Sequence, residues 1–293
     1  LQDRENINAD VELGEFFLEF EDLFDNNALS VRAGRLLIPF GEEYQTRYVM
    51  ENALINHSVS DFWGLDEGVE AFGQAGEFSY IAAIMNGSHD FLRDYTSSKA
   101  LVGRVGYDPT RNLHLSGSVM RTGTIDVENE GQTELWFGNS FFRSIGSEAT
   151  TEFHVDLAQL DASYFWDTGH LSTAYGKAWY DDNDPLANNR RTFDFWQIET
   201  QQSVVGDTLF AAIRYSGMNV DEGYPVSGMA ARGPYFFGPL KTTELRRLSF
   251  GLTYWPYPDL VLKLDYTMED GEQTNGSKRS DTNMLAAEVG ARF

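Results

Sequence analysis

The chain has 293 residues with a formal net charge of −23, and 42% of them are hydrophobic and 14% aromatic, so the composition excludes a disordered chain. Only 22 Lys and Arg stand against 45 Asp and Glu, which argues against a nucleic-acid partner because a polyanion needs a basic face. Cysteine is absent, which excludes disulfides and thiolate chemistry, and no apolar run approaches the roughly 18–20 residues of a membrane-spanning helix.

Apolar and polar residues alternate with period two in segments separated by turn residues, which is typical of β-strands. In the segment that begins at 207, Leu209, Ala211 and Ile213 share one face, whereas Ala212 and Arg214 share the other. In chain order the alternation predicts thirteen strands, at about 9–22, 28–40, 67–75, 77–87, 98–108, 112–123, 151–166, 170–182, 192–204, 207–218, 247–254, 260–268 and 285–293.

Two segments break this alternation. The parity of Val11 and Leu13 differs from that of the following apolar residues, and the apolar phase changes near Ala158 and Gln159. A β-bulge at each place would explain the change of phase. Arg35 falls on the otherwise apolar face of its strand, so the register there is open.

The connections between predicted strands alternate between tight turns and long loops. Tight turns lie at Asp25–Asn27, Gly73–Gly76, Asp108–Arg111, Asp167–Gly169, Val205–Asp207 and Trp255–Asp259. Long loops lie at about 41–66, 88–97, 124–150, 183–191, 219–243 and 271–281. Short turns at one end and long loops at the other are typical of outer-membrane barrels, in which the short turns are periplasmic.

We therefore predict an all-β fold, a transmembrane antiparallel up-and-down β-barrel that forms a single domain over residues 1–293 of a protein in the bacterial outer membrane. About thirteen strands are visible in the sequence. Lipid would cover the apolar outer face, and aromatic residues near strand ends, such as Tyr107, Trp166 and Trp179, fit interfacial girdles. The competing interpretation is an aromatic-rich soluble sheet.

The segment Ala28–Gly41, ALSVRAGRLLIPFG, follows a strand from Val11 to Phe20 and a turn at Asp25–Asn27, and it resembles the phosphate-selective porin O/P family. Phe293 at the end of an alternating strand is similar to the C-terminal residue that serves outer-membrane barrels as an assembly signal. The resemblance implies a homotrimer of sixteen-stranded barrels. Because the first turn is a tight one, an even-stranded barrel needs one or three further strands upstream, so we expect 14–16 strands in the complete protein.

Nine charged residues occupy polar strand parities and are expected to line the lumen: Arg32, Arg104, Arg121, Arg214, Arg247, Lys263, Asp265, Glu288 and Arg292. The family's anion selectivity rests on lumen arginines. In one interpretation, the seven Arg and Lys residues among these nine would therefore form a positive stripe. In the other they pair with Asp156, Asp161, Asp265 and Glu288, since charges of both signs are usual in porin lumens. The net charge of −23 favours cations at the mouth, so the sign of selectivity stays open.

The sequence contains none of the common catalytic motifs. A Gly-rich phosphate loop, a His-Glu-x-x-His helix and a Gly-x-Ser-x-Gly elbow are absent, and the five histidines show no metal-ligand spacing. The acidic run Asp181-Asp182-Asn183-Asp184 fits a solvated loop better than a calcium site. We therefore expect no catalytic residue, metal or cofactor, and predict that the protein is not an enzyme.

The simplest function for such a barrel is passive diffusion of small polar or charged solutes, which would include anions such as phosphate if the positive stripe exists. The loops 41–66, 124–150 and 219–243 are each long enough to narrow the pore. A second hypothesis is a barrel sheath around a partner such as an electron-transfer cytochrome or a lipoprotein plug, which would fill the lumen with another chain. A β-rich enzyme is a third.

Overall fold

One large antiparallel β-sheet accounts for most of the chain in the computed structural model, which describes residues 14–24, 27–46, 48–87, 96–146, 148–229, 233–279 and 282–292. In that part of the chain no helix has the length and apolar character needed to cross a membrane. The strands are β1 Phe16–Phe20, β2 Ser30–Leu37, β3 Leu65–Ala75, β4 Phe78–Met85, β5 Ala100–Thr110, β6 Leu113–Arg121, β7 Ile125–Asp126, β8 Gln132–Phe137, β9 Ser140–Arg143, β10 Glu152–Trp166, β11 Gly169–Asp182, β12 Arg191–Val205, β13 Leu209–Tyr224, β14 Thr242–Tyr257, β15 Leu260–Gln273 and β16 Thr282–Ala291.

Each long strand pairs with the next one along the chain, in the order β1 to β6 and then β10 to β16. The short β7 pairs with the start of β10, whereas β8 and β9 form a separate hairpin. The predicted up-and-down topology is therefore confirmed, and all thirteen predicted strands are present. The sequence did not predict β7, β8 and β9, which lie in the expected loop 124–150.

Tight turns and long loops alternate around the sheet as predicted. The turns before β4, β6 and β11 contain only two residues each, whereas the loops include 38–64, 122–151 and 225–241. All turns lie at one end of the strands, which we call the turn end, and all loops lie at the opposite loop end. This order is the one expected of an outer-membrane barrel.

The sheet curls so strongly that distant strands face each other. Glu42 contacts Arg104 of β5, and the next residue, Glu43, contacts Arg214 of β13. β5 and β13 are separated by five strand-to-strand steps in the order of the sheet, so their backbones would lie about 24 Å apart if the sheet were flat. Adjacent residues can reach both strands only because the sheet encloses a lumen. Among the described residues the terminal strands β1 and β16 are not paired with each other.

The two faces of the sheet differ in chemistry. Exposed apolar side chains cover the outer face, and they include Val69, Ile84, Leu101, Leu160, Ile198, Leu264 and Leu285. Buried polar and charged side chains lie on the inner face near the middle of the strands, and they include Glu70, Ser118, Asp161, Arg214, Arg247 and Asp265. Exposure of so many apolar side chains to water would be unfavourable, whereas their contact with the hydrocarbon chains of lipid is favourable.

The inner face becomes apolar toward the loop end, and this explains one wrong prediction. β10 keeps an unbroken register with β11 from Phe153 to Trp166, so there is no bulge near Ala158. Phe153, Val155 and Leu157 point inward and are buried, whereas Leu160 points outward. The phase change therefore marks the boundary between an apolar and a polar layer of the lumen.

Three other expectations concern the ends of the chain or the register of β2. The suggested bulge near Val11 and the assembly residue Phe293 lie outside the described residues. Arg35 does lie on the outward face of β2, as its parity indicates, and its guanidinium is 2.7 Å from the carboxylate of Glu67 on β3. The neighbouring carboxylate compensates the charge of Arg35 on this face.

Candidate functional site

Residues 38–64, here called the crossing segment, leave β2 and pass through the lumen. Near β5 and β6, the Gly41 N–H donates a hydrogen bond to Ser118 Oγ over 3.1 Å. The Glu42 carboxylate lies 2.5 Å from the Arg104 guanidinium and 3.2 Å from His114 Nε2. The segment is therefore fixed to one side of the wall by charged groups.

Gly41 allows the crossing segment to approach this wall. Its φ of 71° lies in the left-handed region that favours glycine. A Cβ at this position would lie 2.6 Å from the side-chain nitrogen of Gln159 on β10. A larger residue would therefore strain the backbone and displace the end of the Gln159 side chain.

The centre of the lumen contains a buried ion-pair network. Arg214 of β13 lies 3.4 Å from Glu43, contacts Glu199 of β12, and donates to the main-chain oxygen of Asn56 over 2.6 Å. The Ser58 N–H donates to Glu43 over 2.8 Å. Burial alone would raise the pKa of Glu43, but the Arg214 charge and these hydrogen-bonding neighbours hold that pKa below its ordinary value.

Wall charges on β14 and β15 hold the far part of the crossing segment. Lys263 Nζ donates to the main-chain oxygen of Asn52 over 2.7 Å, and Asp265 accepts the Ile55 N–H over 2.5 Å. Arg247 donates to the His57 carbonyl over 2.8 Å and pairs with Glu269 at 2.7 Å. These groups satisfy main-chain atoms that would otherwise be buried without partners.

An apolar layer lies on the loop-end side of this network. We call it the aromatic layer, and its rings are Phe40, Phe62, Phe137, Phe142, Phe193, Phe195 and Tyr224, all buried. The centroids of Phe62 and Phe195 are 4.4 Å apart, and those of Phe137 and Phe142 are 4.3 Å apart. Rings from the crossing segment, from the β8–β9 hairpin and from the wall thus pack as in a protein core.

Two further loops contribute to the filling of the lumen. The hairpin is tied to the crossing segment because the main chains of Trp63 and Trp136 exchange two hydrogen bonds, of 3.0 and 2.7 Å. In the loop 225–241, Val226 is buried and its carbonyl accepts from Arg279 over 2.8 Å. The described parts of all three loops that the sequence singled out as long enough to narrow the lumen therefore fold inward.

The structure places seven of the nine predicted lining residues on the inner face: Arg32, Arg104, Arg214, Arg247, Lys263, Asp265 and Glu288. Arg121 instead lies on the outer face, half exposed, with its guanidinium 3.7 Å from Asp156. Arg292 lies at the turn end, 3.0 Å from Asp259, and is exposed. The prediction that Arg121 lines the lumen is therefore wrong, whereas that for Arg292, which follows the end of β16, stays a prediction.

The inward cations do not form a free positive stripe. Arg32 lies 3.2 Å from Glu70 and also contacts Glu19, and the other inward arginines have the carboxylate partners given above. Glu288 faces Lys263 across the β15–β16 pair. The lumen thus contains ion pairs, as in the second interpretation, but of the expected acids neither Asp156 nor Asp161 is the main partner of an inward cation.

One group of metal-type ligands occurs in the described residues, formed by Glu43, His57 and Asp61. Their ligand atoms lie within 4.8 Å of one another. The guanidinium of Arg214 already supplies a cation at Glu43, so the geometry is that of an ion-pair network. The acidic run was expected in a loop, but Asp181 and Asp182 form the end of β11, and Asp181 lies 3.0 Å from Arg190.

Sequence patterns predicted the wall residues but missed Glu42, Glu43, Asn52 and His57 of the crossing segment. These residues belong to no repeating pattern, because a loop has no strand parity. The available signal was the apolar inner face of the strands near the loop end, such as Phe193 and Phe195 on β12. An apolar inner face in a barrel requires something to pack against it.

No protein-family model and no curated protein matches the sequence. Solved structures do match. The outer-membrane channel DcaP of Acinetobacter baumannii is 10% identical with a TM-score of 0.58, over 90% of this chain and 71% of that one. The anion-selective porin from Comamonas acidovorans is 11% identical with a TM-score of 0.55, over 91% and 75%. The outer-membrane protein OmpT of Vibrio cholerae is 14% identical with a TM-score of 0.54, over 90% and 74%.

At these identities the comparisons show the fold alone. The chain has the antiparallel β-barrel fold of outer-membrane porins, which confirms the predicted fold class. The resemblance of residues 28–41 to the phosphate-selective porin O/P family stays a prediction.

Proposed function

We propose that this protein is a channel of the bacterial outer membrane through which small polar or charged solutes diffuse passively. The observation that carries the proposal is the division of each wall strand into an apolar outer face and a charged inner face. On β15, Leu262 and Leu264 are exposed outward, whereas Lys263 and Asp265 are buried inside. Only a barrel with lipid outside and polar contents inside needs this pattern.

The crossing segment would narrow this channel. It contacts β5 and β6 through Glu42 and β15 through Asn52, so it spans the lumen at the level of the buried ion pairs. A solute would pass beside this segment, and its charge and size would decide the rate of passage. With the loops facing outward, solutes would meet the aromatic layer first.

The lumen does not favour the sheath hypothesis. The crossing segment, the β8–β9 hairpin and Val226 already occupy much of its loop half, as the burial of Phe62, Phe137 and Phe142 shows. A partner chain would have to displace this core. In the described part of the chain, the predicted arginines Arg32, Arg104, Arg214 and Arg247 are each paired with a carboxylate, which does not favour a free positive stripe for phosphate.

We also propose a homotrimer, supported by the trimer form in which OmpT of Vibrio cholerae has been solved. Porin-type barrels in such an assembly each keep their own lumen, so the trimer would not change the account of the channel.

Current measurement in a planar bilayer tests the proposed function. The purified protein is first shown to be folded by its heat-modifiable migration on a gel. Discrete current steps after insertion would support a channel. Folded protein that never conducts would contradict it.

A further inference from the structure

A cavity of about 260 Å³ lies inside the barrel between the crossing segment and strands β1 to β3. Tyr44 and Tyr48 line it from the crossing segment, and Phe17, Arg32 and Glu70 line it from the strands. Glu15, which precedes β1, also lines it, and the rest of the lining is formed by Leu36, Leu37, Gln45 and Ile81. The cavity is of the size of a small organic molecule rather than of a large ligand.

The charge balance around this cavity is negative. Arg32 contacts Glu19 and lies 3.2 Å from Glu70, so one guanidinium serves two carboxylates. Glu15 adds a third carboxylate, whose hydrogen-bond partner is the neutral hydroxyl of Tyr48. Glu70 is only 2% exposed, so its charge acts in a region from which water is largely excluded. A cationic group entering the cavity would reduce this excess of negative charge.

The rings near the cavity already bind cations of this chain. The Arg32 guanidinium lies 5.1 Å from the centroid of Phe17 and 4.5 Å from that of Phe72. The guanidinium of Arg104 lies 5.4 Å from the ring of Tyr44. Ring faces at these distances attract a cation through the ring quadrupole. Burial raises the pKa of Tyr44, so its hydroxyl stays neutral.

We propose that this cavity is a binding site for a small organic cation, with an ammonium or guanidinium head group against Glu15 and Glu70 and an apolar body against Phe17, Tyr44 and Tyr48. The inference deepens the proposed function, because it names organic amines as a class of solute for the channel. Anionic and neutral molecules of the same shape lack the charge that the carboxylates require.

Calorimetric titration of the detergent-solubilised protein tests the site without relying on conduction. The probes are benzylammonium, benzyl alcohol and benzoate, which share a ring and differ in charge. We expect saturable binding of benzylammonium alone. Glu15→Gln and Glu70→Gln should each weaken it about tenfold, the effect of losing one hydrogen bond to a charged group. Glu128→Gln, an exposed loop change, is the matched control and should leave it unchanged.

Glu15→Gln keeps the test decisive if the buried Glu70→Gln variant does not fold. Equal affinity for all three probes, or benzylammonium binding that both variants retain in full, would overturn the site. The same probes in the planar bilayer separate the two proposals. Discrete current steps without charge-selective binding would refute the site alone, and selective binding by a folded protein that never conducts would refute the channel alone.

Discussion

Arg214 on β13 and Glu43 on the crossing segment approach to 3.4 Å in the middle of the lumen, where the Arg214 side chain is buried and the Glu43 side chain is 11% exposed. The same guanidinium contacts Glu199 and the carbonyl of Asn56. One wall residue thus connects two acids and the main chain of the segment that fills the lumen. The network holds the segment in place only while all its charges are compensated.

Replacement of the central guanidinium should therefore be costly. Arg214→Met leaves Glu43 and Glu199 buried without their cation, and we expect a loss of stability of about 3–5 kcal/mol. Arg190→Met is the matched control, because Arg190 forms an exposed pair with Asp181 and should cost less than about 1 kcal/mol. Urea unfolding in detergent measures both, and equal losses would contradict the assigned network.

Acidification should weaken the same network. Burial opposes ionisation of Glu43, but the Arg214 charge, the nearby His57 ring and the Ser58 hydrogen bonds together outweigh it, so the pKa in the folded state is below the usual value of 4.5. The stabilisation is then complete above pH 4.5 and is lost as the pH falls toward the folded-state pKa. Thermal unfolding between pH 7 and 3 should show this loss in the wild type and a smaller slope in Glu43→Gln. Parallel curves would exclude Glu43 as a contributor.

The aromatic layer should behave as a packed core. Phe62→Ala removes a buried ring and should cost about 3–5 kcal/mol, and it should also enlarge the current steps if solutes pass near this layer. Phe24→Ala, an exposed ring in a turn, is the control for both measurements. An unchanged stability in Phe62→Ala would show that the layer is not packed in solution.

Charges inside and outside the barrel should differ in their effect on selectivity. Arg104 faces the lumen beside Glu42, whereas Arg121 lies on the outer face beside Asp156. Arg104→Gln should shift the reversal potential in a salt gradient toward cations, while Arg121→Gln should leave it unchanged. Equal shifts of the reversal potential in the two variants would mean that the ions do not pass through the lumen.

Most of the wall was predictable from the sequence because outer-face residues such as Leu262 and Leu264 obey a period that needs only local information. Arg121 shares the parity of Leu115 and Val119 and lies with them on the outer face, although a charged residue is expected in the lumen. Parity is the better guide on the strands of a barrel.

The contents of the lumen were not predictable in the same way. The contact of Glu43 with Arg214 and the main-chain pairing of Trp63 with Trp136 join loops to distant parts of the chain, and loops have no period. The phase change at Ala158 and Gln159 is visible in the sequence, but it is not caused by a bulge. It recorded instead the apolar layer against which the loops pack.

The central claim is that the barrel conducts and that the crossing segment narrows it. The most direct test is the single-channel conductance of the wild type and of a variant in which residues 43–59 are replaced by a Gly-Ser sequence of equal length, each first shown to be folded. The replacement removes the contacts of Glu43, Asn52 and His57 with the wall. We predict discrete steps in the wild type and severalfold larger steps in the variant. Equal steps in the two proteins, or no conduction by either, would contradict the claim.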